Sequence, residues 1–384
     1  MSIRIGAGVS VELDPLDAAV QAAGSAADAL EGAPSDLTLV FASGAHLLSP
    51  EVTLEGIHRV LAPRALVGCG AGGVLGGDRE LESGTAVSVW AATFEGTGDA
   101  RPFHATATAE ELEGIPELNG DQGAILLSDP YTFPTDAALA AVARDSPTVP
   151  IVGGIASARS ADGGGILFFG EEVRDQGAVG ITLDGVEMLP CVSQGAAPLG
   201  PEVTITAAEG NIIHELAGRP ALQTLERVIA ELSPRERALI SRGLLIGIVI
   251  DSGKPEYQQG DFLVRGVLDA DPDASTLTVG AAVREGQVLR LHARDAKSAD
   301  EDLRRALKLH AEAMAGSSPA GALVFSCNGR GQAMFGSCDH DAKTVQRELG
   351  PVPAAGFFAA GEIGPVGGRS FLHGFTATLA IFPA

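Results

Sequence analysis

Apolar residues fall along this chain in short runs separated by Gly, Pro, Asp and Ser, a spacing that predicts alternating strands and helices. IRIGAGVS alternates like a strand, LTLVFAS and ALVGC read as two more, and TAVSVWAATF alternates again. Between them, Asp14-Pro15 reads as an N-cap with Pro at the first helical position, and Ser49-Pro50 opens a second helix, EVTLEGIHRVL. The pattern returns as strand GAILLSDP, helix TDAALAAVAR capped by Thr135, strand VPIVGGIAS and the glycine-rich loop ADGGG. ILFFGEEV and QGAVGITL then read as the two arms of a hairpin.

After Gly185 the segment VEMLPCVSQGAAPLGPEVTITAAEGN reads as a turn-rich bridge. Pro220 opens the helix ALQTLERVIAEL, and Ser233 with Glu236 forms a capping box for the next. Four strands follow: LLIGIVIDS, DFLVRGVLDAD, TLTVGAAV and QVLRLHAR. SADEDLRRALKLHAEAMAG is a helix with a capping box at Ser298 and Glu301 and a stop at Gly316. From Pro319 to Ala384 the order is strand, polar loop, helix, strand, glycine-rich loop, strand.

Internal repetition outweighs any single element. Strand–glycine loop–strand occurs as ALVGCGAGG…TAVSVWAATF, PIVGGIASA…GAVGITL and PAAGFFAAG…FTATLAIF, each with a Gly three positions ahead of an Ala: Gly68 and Ala71, Gly153 and Ala156, Gly356 and Ala359. The strand feeding each copy ends in small polar groups, at Ser43, at Ser128-Asp129 and at Ser326-Cys327. The strand–helix–strand order from Ile3 to Phe41 also returns from Leu277 to Phe325. The expectation is an α/β protein of two related halves, layered α/β sandwiches with mixed sheets, divided between Gly185 and Gly210.

Composition narrows the function. The 384 residues suffice for two domains, 50 are Gly and only 4% are aromatic, so the core must be built from Ala, Val, Leu and Ile. A formal charge of −23 argues against nucleic acid or an anionic membrane as partner. Cys69, Cys191, Cys327 and Cys338 form no CxxC pair or disulfide framework, and MSIRIGAGVS has no apolar signal core, so a cytoplasmic setting is expected.

VGCGAGG fits GxGxxG, but a polar segment and a strand follow it where a dinucleotide site needs a helix. Cys338-Asp339-His340-Asp341 has metal-ligand types, yet reads as the cap and first turn of DAKTVQREL. Cys327 is the best nucleophile candidate, beside Arg330, with no base assignable. The strongest signal is the pair of loops CNGRG and AAGEIGPVGGR, with Asn328, Arg330, Glu362, Arg369 and His373. Arg can take a carboxylate and Glu an ammonium, so the set suits a zwitterion. The competing reading is an Arg–Glu ion pair that pins two loops together.

VFSCNGRGQAMFG with GPVPAAGFFAAGEIGPVGGRSFLHGFTATLAIF resembles the FIST C-terminal domain, and QGAILLSDPYTFPTDAALAAV with VPIVGGIASARSADGGGILFFGEEV resembles the FIST N-terminal domain. The resemblance implies a FIST N-terminal domain over 1–195 and a C-terminal domain over 196–384. It also implies a stand-alone, non-catalytic sensor in signal transduction that binds an amino acid or similar small polar metabolite and signals through a downstream protein. On this reading Cys327, Asn328, Arg330, Glu362, Arg369 and His373 are the ligand residues, with no metal and no cofactor. The alternatives are a noncovalent haem-binding gas sensor and a cysteine-dependent hydrolase using Cys327.

Overall fold

In the computed structural model of the chain, residues 3–384 are described except 97, 109, 110, 119, 162, 242, 251, 252, 255, 258 and 259. Asp162 of the ADGGG loop, the Asp251-Ser252 end of the strand expected from Leu244, and Gln258-Gln259 thus lie outside the described residues. The chain divides into two compact units. The larger holds Met1–Val192, Leu303–Leu372 and Ala377–Ala384, and the smaller holds Ser193–Asp302 with His373–Thr376.

The larger unit is built from three copies of one motif. The first runs β1 (Arg4–Ser10), α1 (Pro15–Asp28), β2 (Leu37–Ser43), α2 (Pro50–Leu61), β3 (Ala65–Ala71), the hairpin β4 (Val74–Gly76) and β5 (Arg79–Leu81), and β6 (Ala86–Thr93). The second runs β7 (Asp99–Ala107), β8 (Leu112–Glu113), β9 (Gly123–Ser128), α3 (Thr135–Asp145), β10 (Ile151–Ile155), the hairpin β11 (Leu167–Phe169) and β12 (Glu172–Arg174), and β13 (Ala178–Asp184). The third opens on β14 (Leu189–Gln194) and is interrupted in sequence by the smaller unit.

That smaller unit contains β15 (Ala196–Glu209), β16 (Ile212–Leu216), β17 (Arg219–Pro220), α4 (Ala221–Glu231), α5 (Pro234–Ile240), β18 (Leu244–Val249), β19 (Phe262–Asp271), β20 (Thr276–Val279) and β21 (Val288–Arg294). Its sheet has the order β15-β21-β18-β19-β20-β16-β17, and α4 packs Leu225 and Val228 into its core beside Ile246 and Leu291. The third copy then resumes with α6 (Ala296–Ala313), β22 (Pro319–Cys327), α7 (Gln332–Phe335), α8 (His340–Leu349), β23 (Ala354–Ala359), the hairpin β24 (Glu362–Val366) and β25 (Arg369–His373), and β26 (Thr376–Pro383).

Each copy makes a sheet of four strands, to which the second adds the short β8, and each sheet is completed by a hairpin from a different copy. The orders are β1-β6-β2-β3-β11-β12, β8-β7-β13-β9-β10-β24-β25 and β14-β26-β22-β23-β4-β5. The first copy lends its hairpin to the third sheet, the third to the second, and the second to the first. In all three sheets the central pair is parallel and its flanking strands are antiparallel, the mixed character expected of the class.

The recurrent glycine has a common cause. A Cβ on Gly68 would stand 2.0 Å from Val40 O, one on Gly153 2.0 Å from Leu126 O, and one on Gly356 1.8 Å from Val324 O. In every copy it is the register partner across the parallel pair that would be struck, so only hydrogen fits. Two residues on, the same three positions donate to another copy's loop: Gly70 N to Ile166 O at 2.8 Å, Ile155 N to Gly361 O at 2.8 Å and Phe358 N to Gly73 O at 3.0 Å.

One hydrophobic core is shared by the three sheets, with Leu37, Leu39 and Phe41 of β2, Ile125 and Leu127 of β9, and Leu323 and Phe325 of β22. The scarce aromatics concentrate there: Phe41 stacks on Phe357 at 5.1 Å, and Trp90 meets Phe382 at 5.0 Å with the rings tilted by 42°. The opposite residues of β2, Val40 and Ala42, bury against alanines of α1. Burial on both sides is why LTLVFAS is predominantly apolar, with Thr38 and Ser43 its buried polar residues.

Several local expectations change. The strand that leads the third copy is β14 and not the β20–β21 region, because that region belongs to the inserted unit. The bridge after Gly185 is largely strand, β14 and β15. The hairpin lies within ILFFGEEV, turning at Gly170 (φ 58°), while β13 joins its own sheet. Thr135 is not a cap: it begins α3, and its hydroxyl meets Ser128 Oγ at 2.8 Å. The helix expected from Ser298 starts at Ala296, with Asp295 Oδ2 accepting from Ser298 N. The caps at Asp14 and Ser233 form as expected.

Candidate functional site

The loop after β22 and the first turn of α8 meet in a buried ionic cluster of the larger unit. Arg330 turns back under its own loop, with its backbone N–H donating to Cys327 O at 2.8 Å. Its Nε donates to Asp341 Oδ2 at 2.6 Å and its Nη2 to Asp341 Oδ1 at 2.9 Å. This two-point pair has side-chain exposures of 0% and 2%. Ser326 Oγ donates to Asp341 Oδ2 at 2.9 Å, and His340 Nδ1 lies 2.9 Å from Oδ1. Burial, the largest single influence, would raise the Asp341 carboxyl, but the charge of Arg330 together with the hydrogen bonds from His340 and Arg330 outweighs it and holds the group well below the usual carboxylate range.

The expected partner of the guanidinium was Glu362, so Asp341 is a correction to the pinned-loop reading. Asp341 falls in the first turn of a helix, where an acid is ordinary, and nothing local marks its pairing with Arg330. Asp339 also differs from expectation. It takes the N-cap position at φ 62° without capping through its side chain, and instead accepts from Glu80 N at 2.8 Å and pairs with Lys343. His340 stacks on Phe335 at 3.5 Å between ring centroids. Among the described residues no group of three or more His, Cys, Asp or Glu is set to hold a metal.

Cys327 ends β22, 8% exposed, and its Sγ accepts from Gly329 N at 3.4 Å. Asn328 is exposed, with its backbone N–H bonded to Ala359 O. Glu362 is fully buried, and its charge is among those that raise the Arg330 pKa, after Asp341 and Cys327. Arg369 is exposed on β25, with its guanidinium 5.8 Å from the Phe371 ring. His373 is buried at the end of β25 and groups with the smaller unit, in the segment where Phe375 O accepts from Gly195 N and the Phe375 ring lies under Arg294. Cys327, Arg330 and Glu362 therefore share one buried neighbourhood, while Asn328 and Arg369 are at the surface.

The repeat supplies an internal comparison. Glu362 faces Gly154 across the sheet, and the matching hairpin residues are Val74, facing Phe357, and Leu167, facing Cys69. Two copies place an apolar residue where the third buries a carboxylate. Counting back from the shared glycine, Asp341 corresponds to Thr53; counting on from that glycine's register partner, Val40 in the first copy and Val324 in the third, Arg330 corresponds to His46. The cluster is thus peculiar to the third copy.

Sequence reasoning missed Glu80 and Glu82, which come from the hairpin lent by the first copy. Glu80 Oε1 accepts from Ala342 N at 2.9 Å, and Glu82 Oε1 accepts from Gln332 N at 2.7 Å. No local signal marked them: on the short strand Arg79–Leu81 it is Glu80 that is buried, between an exposed Arg79 and a half-buried Leu81.

The FIST N domain family matches residues 36–219 and the FIST C domain family residues 221–365. A Mycobacterium bovis protein, Mb0898c, is 42% identical over 393 aligned residues, covering 99% of both chains. A Mycobacterium tuberculosis protein, MT0656, is 40% identical over 385, covering 99% of this chain and all of its own length. Both carry the description uncharacterized.

Proposed function

This chain belongs to the FIST family, and we propose that it is a sensor that binds an amino acid or similar small polar metabolite at the Cys327–Arg330 and Glu362–Arg369 loops. FIST domains are generally associated with sensing in signal transduction and with small-ligand binding. No described helix is long and apolar enough to cross a membrane.

The observation that carries this reading is Glu362. Its counterparts Val74 and Leu167 show that the repeat closes without a carboxylate there, so the acid answers a need other than folding. Beside it, Arg330 Nη1 is buried without a hydrogen-bond partner among the described residues. A buried donor left open is costly, and a ligand carboxylate would fill it. Glu362 would hold the ammonium, Arg330 and Asn328 the carboxylate end, and Arg369 the entrance. Output passes to a downstream protein.

The test is thermal-shift screening of the chain against amino acids and related metabolites. The reading expects a ligand whose stabilisation is lost in Glu362→Leu and weakened in Arg369→Ala. Stabilisation that persists unchanged in both variants places the binding elsewhere.

A further inference from the structure

Two segments far apart in sequence are fastened together over the start of α8. Besides the Glu80–Ala342 and Glu82–Gln332 bonds, Glu80 N donates to Asp339 Oδ1 at 2.8 Å. Gly331 sits at φ 105°, and a Cβ there would stand 2.7 Å from the Glu82 carboxylate, so the ligand loop lies directly on the hairpin. In the β11–β12 hairpin, Val173 holds the register position of Glu80: Phe168 faces Val173 as Leu75 faces Glu80. The lent hairpin therefore does not need an acid at this place.

Glu80 is only 8% exposed, and its Oε2 has no hydrogen-bond partner among the described residues. Charged groups on the elements around it are Asp339, His340, Asp341 and Lys343 at α8, Arg330 in the loop, and Asp78, Arg79 and Glu82 on its own hairpin. The buried cation among these, Arg330, gives its Nε and Nη2 to Asp341, and Lys343 is exposed and paired with Asp339. An ionised Glu80 would thus be a second buried anion next to Asp341. Burial, then the Asp341 charge and more weakly that of Glu82, push the Glu80 pKa up to about 7, against the opposing pull of the Ala342 and Asp341 amides.

We propose that the β4–β5 hairpin is a proton-operated latch on the Cys327–Arg330 loop: neutral Glu80 lets the hairpin seat on α8, and loss of its proton to solvent releases it. As a regulator of ligand access, the latch rests on the ligand reading of that loop; as a moving part it does not. The sensor is then tied shut in mildly acidic conditions and freed as pH rises through neutrality.

Hydrogen exchange of the full chain without ligand, at pH 6 and pH 8 and corrected for intrinsic rates, reads the latch in peptides covering 74–82 and 328–342. Opening is expected to rise about tenfold between the two, the change produced by one proton held when closed and lost when open. In Glu80→Gln, which keeps the Oε1 acceptor and cannot ionise, the two pH values should agree. No rise in the parent chain, or an equal rise in Glu80→Gln, overturns the latch. Should that variant disturb the hairpin, ¹³C titration of the Glu80 carboxyl in the parent decides, and a midpoint at an ordinary glutamate value overturns it. Neither measurement involves a ligand, so failure of the latch and failure of the ligand reading are told apart.

Discussion

Arg330 and Asp341 form a bidentate pair at 2.6 and 2.9 Å, with neither side chain more than 2% exposed. Removing one partner of such a pair strands the other charge in the interior. Arg330→Ala and Asp341→Ala are each expected to cost about 3–5 kcal/mol by denaturant unfolding. The double variant Arg330→Met, Asp341→Leu should cost less than the sum of the two. Additive losses would show that the pair does not act as a unit.

Asp341 and Glu80 bend the stability–pH profile in opposite directions. The folded pKa of Asp341 lies below its unfolded value, so its contribution is present above the ordinary carboxylate range and is lost as pH falls below it. The folded value of Glu80, about 7, lies above its ordinary value of 4.5, so stability declines as pH rises between those two. Melting temperature should therefore peak in the mildly acidic range. Glu80→Gln should flatten the alkaline side, and Asp341→Asn the acid side.

Gly356 offers a test of the repeat. With Val324 O 1.8 Å from the site of an added Cβ, Gly356→Ala is expected to destabilise by about 1–3 kcal/mol or more. Gly68→Ala and Gly153→Ala should behave alike. Gly24, with nothing near its Cβ site, lies within α1, and its substitution by Ala should be neutral or stabilising by up to about 1 kcal/mol. Calorimetry of the four variants checks the contrast.

Much of this frame was readable in the sequence, because its causes are local. Gly68, Gly153 and Gly356 recur since each meets the equivalent neighbouring carbonyl, and LTLVFAS is predominantly apolar since both faces are covered. The hairpin exchange was not readable. Glu80 reaches Ala342, and Glu82 reaches Gln332, across more than half the chain, and an acid on a short polar hairpin looks solvated until its partner sheet is known. Likewise Arg330 and Glu362 were legible as unusual, while Asp341 hid behind its plausible role at a helix start. His373 was grouped with them by proximity in sequence, yet it falls in the smaller unit.

Thiol reactivity follows from burial. Cys338 is exposed, whereas Cys69, Cys191 and Cys327 are buried, and burial pushes the Cys69 thiol far above its ordinary range. Iodoacetamide at neutral pH should label Cys338 alone on the fast timescale, read by peptide mass. Fast labelling of Cys327 would mark it as an activated nucleophile.

Substituting Glu362 by leucine separates function from fold most directly, because Leu167 already fills the matching place in a sister copy. Glu362→Leu is expected to remain folded, with stability within about 2 kcal/mol of the parent. Isothermal titration of both proteins with the strongest amino-acid or metabolite hit is then decisive. Binding in the parent that vanishes in Glu362→Leu is the predicted result, and equal binding in both, or none in the parent with any compound of the class, contradicts it.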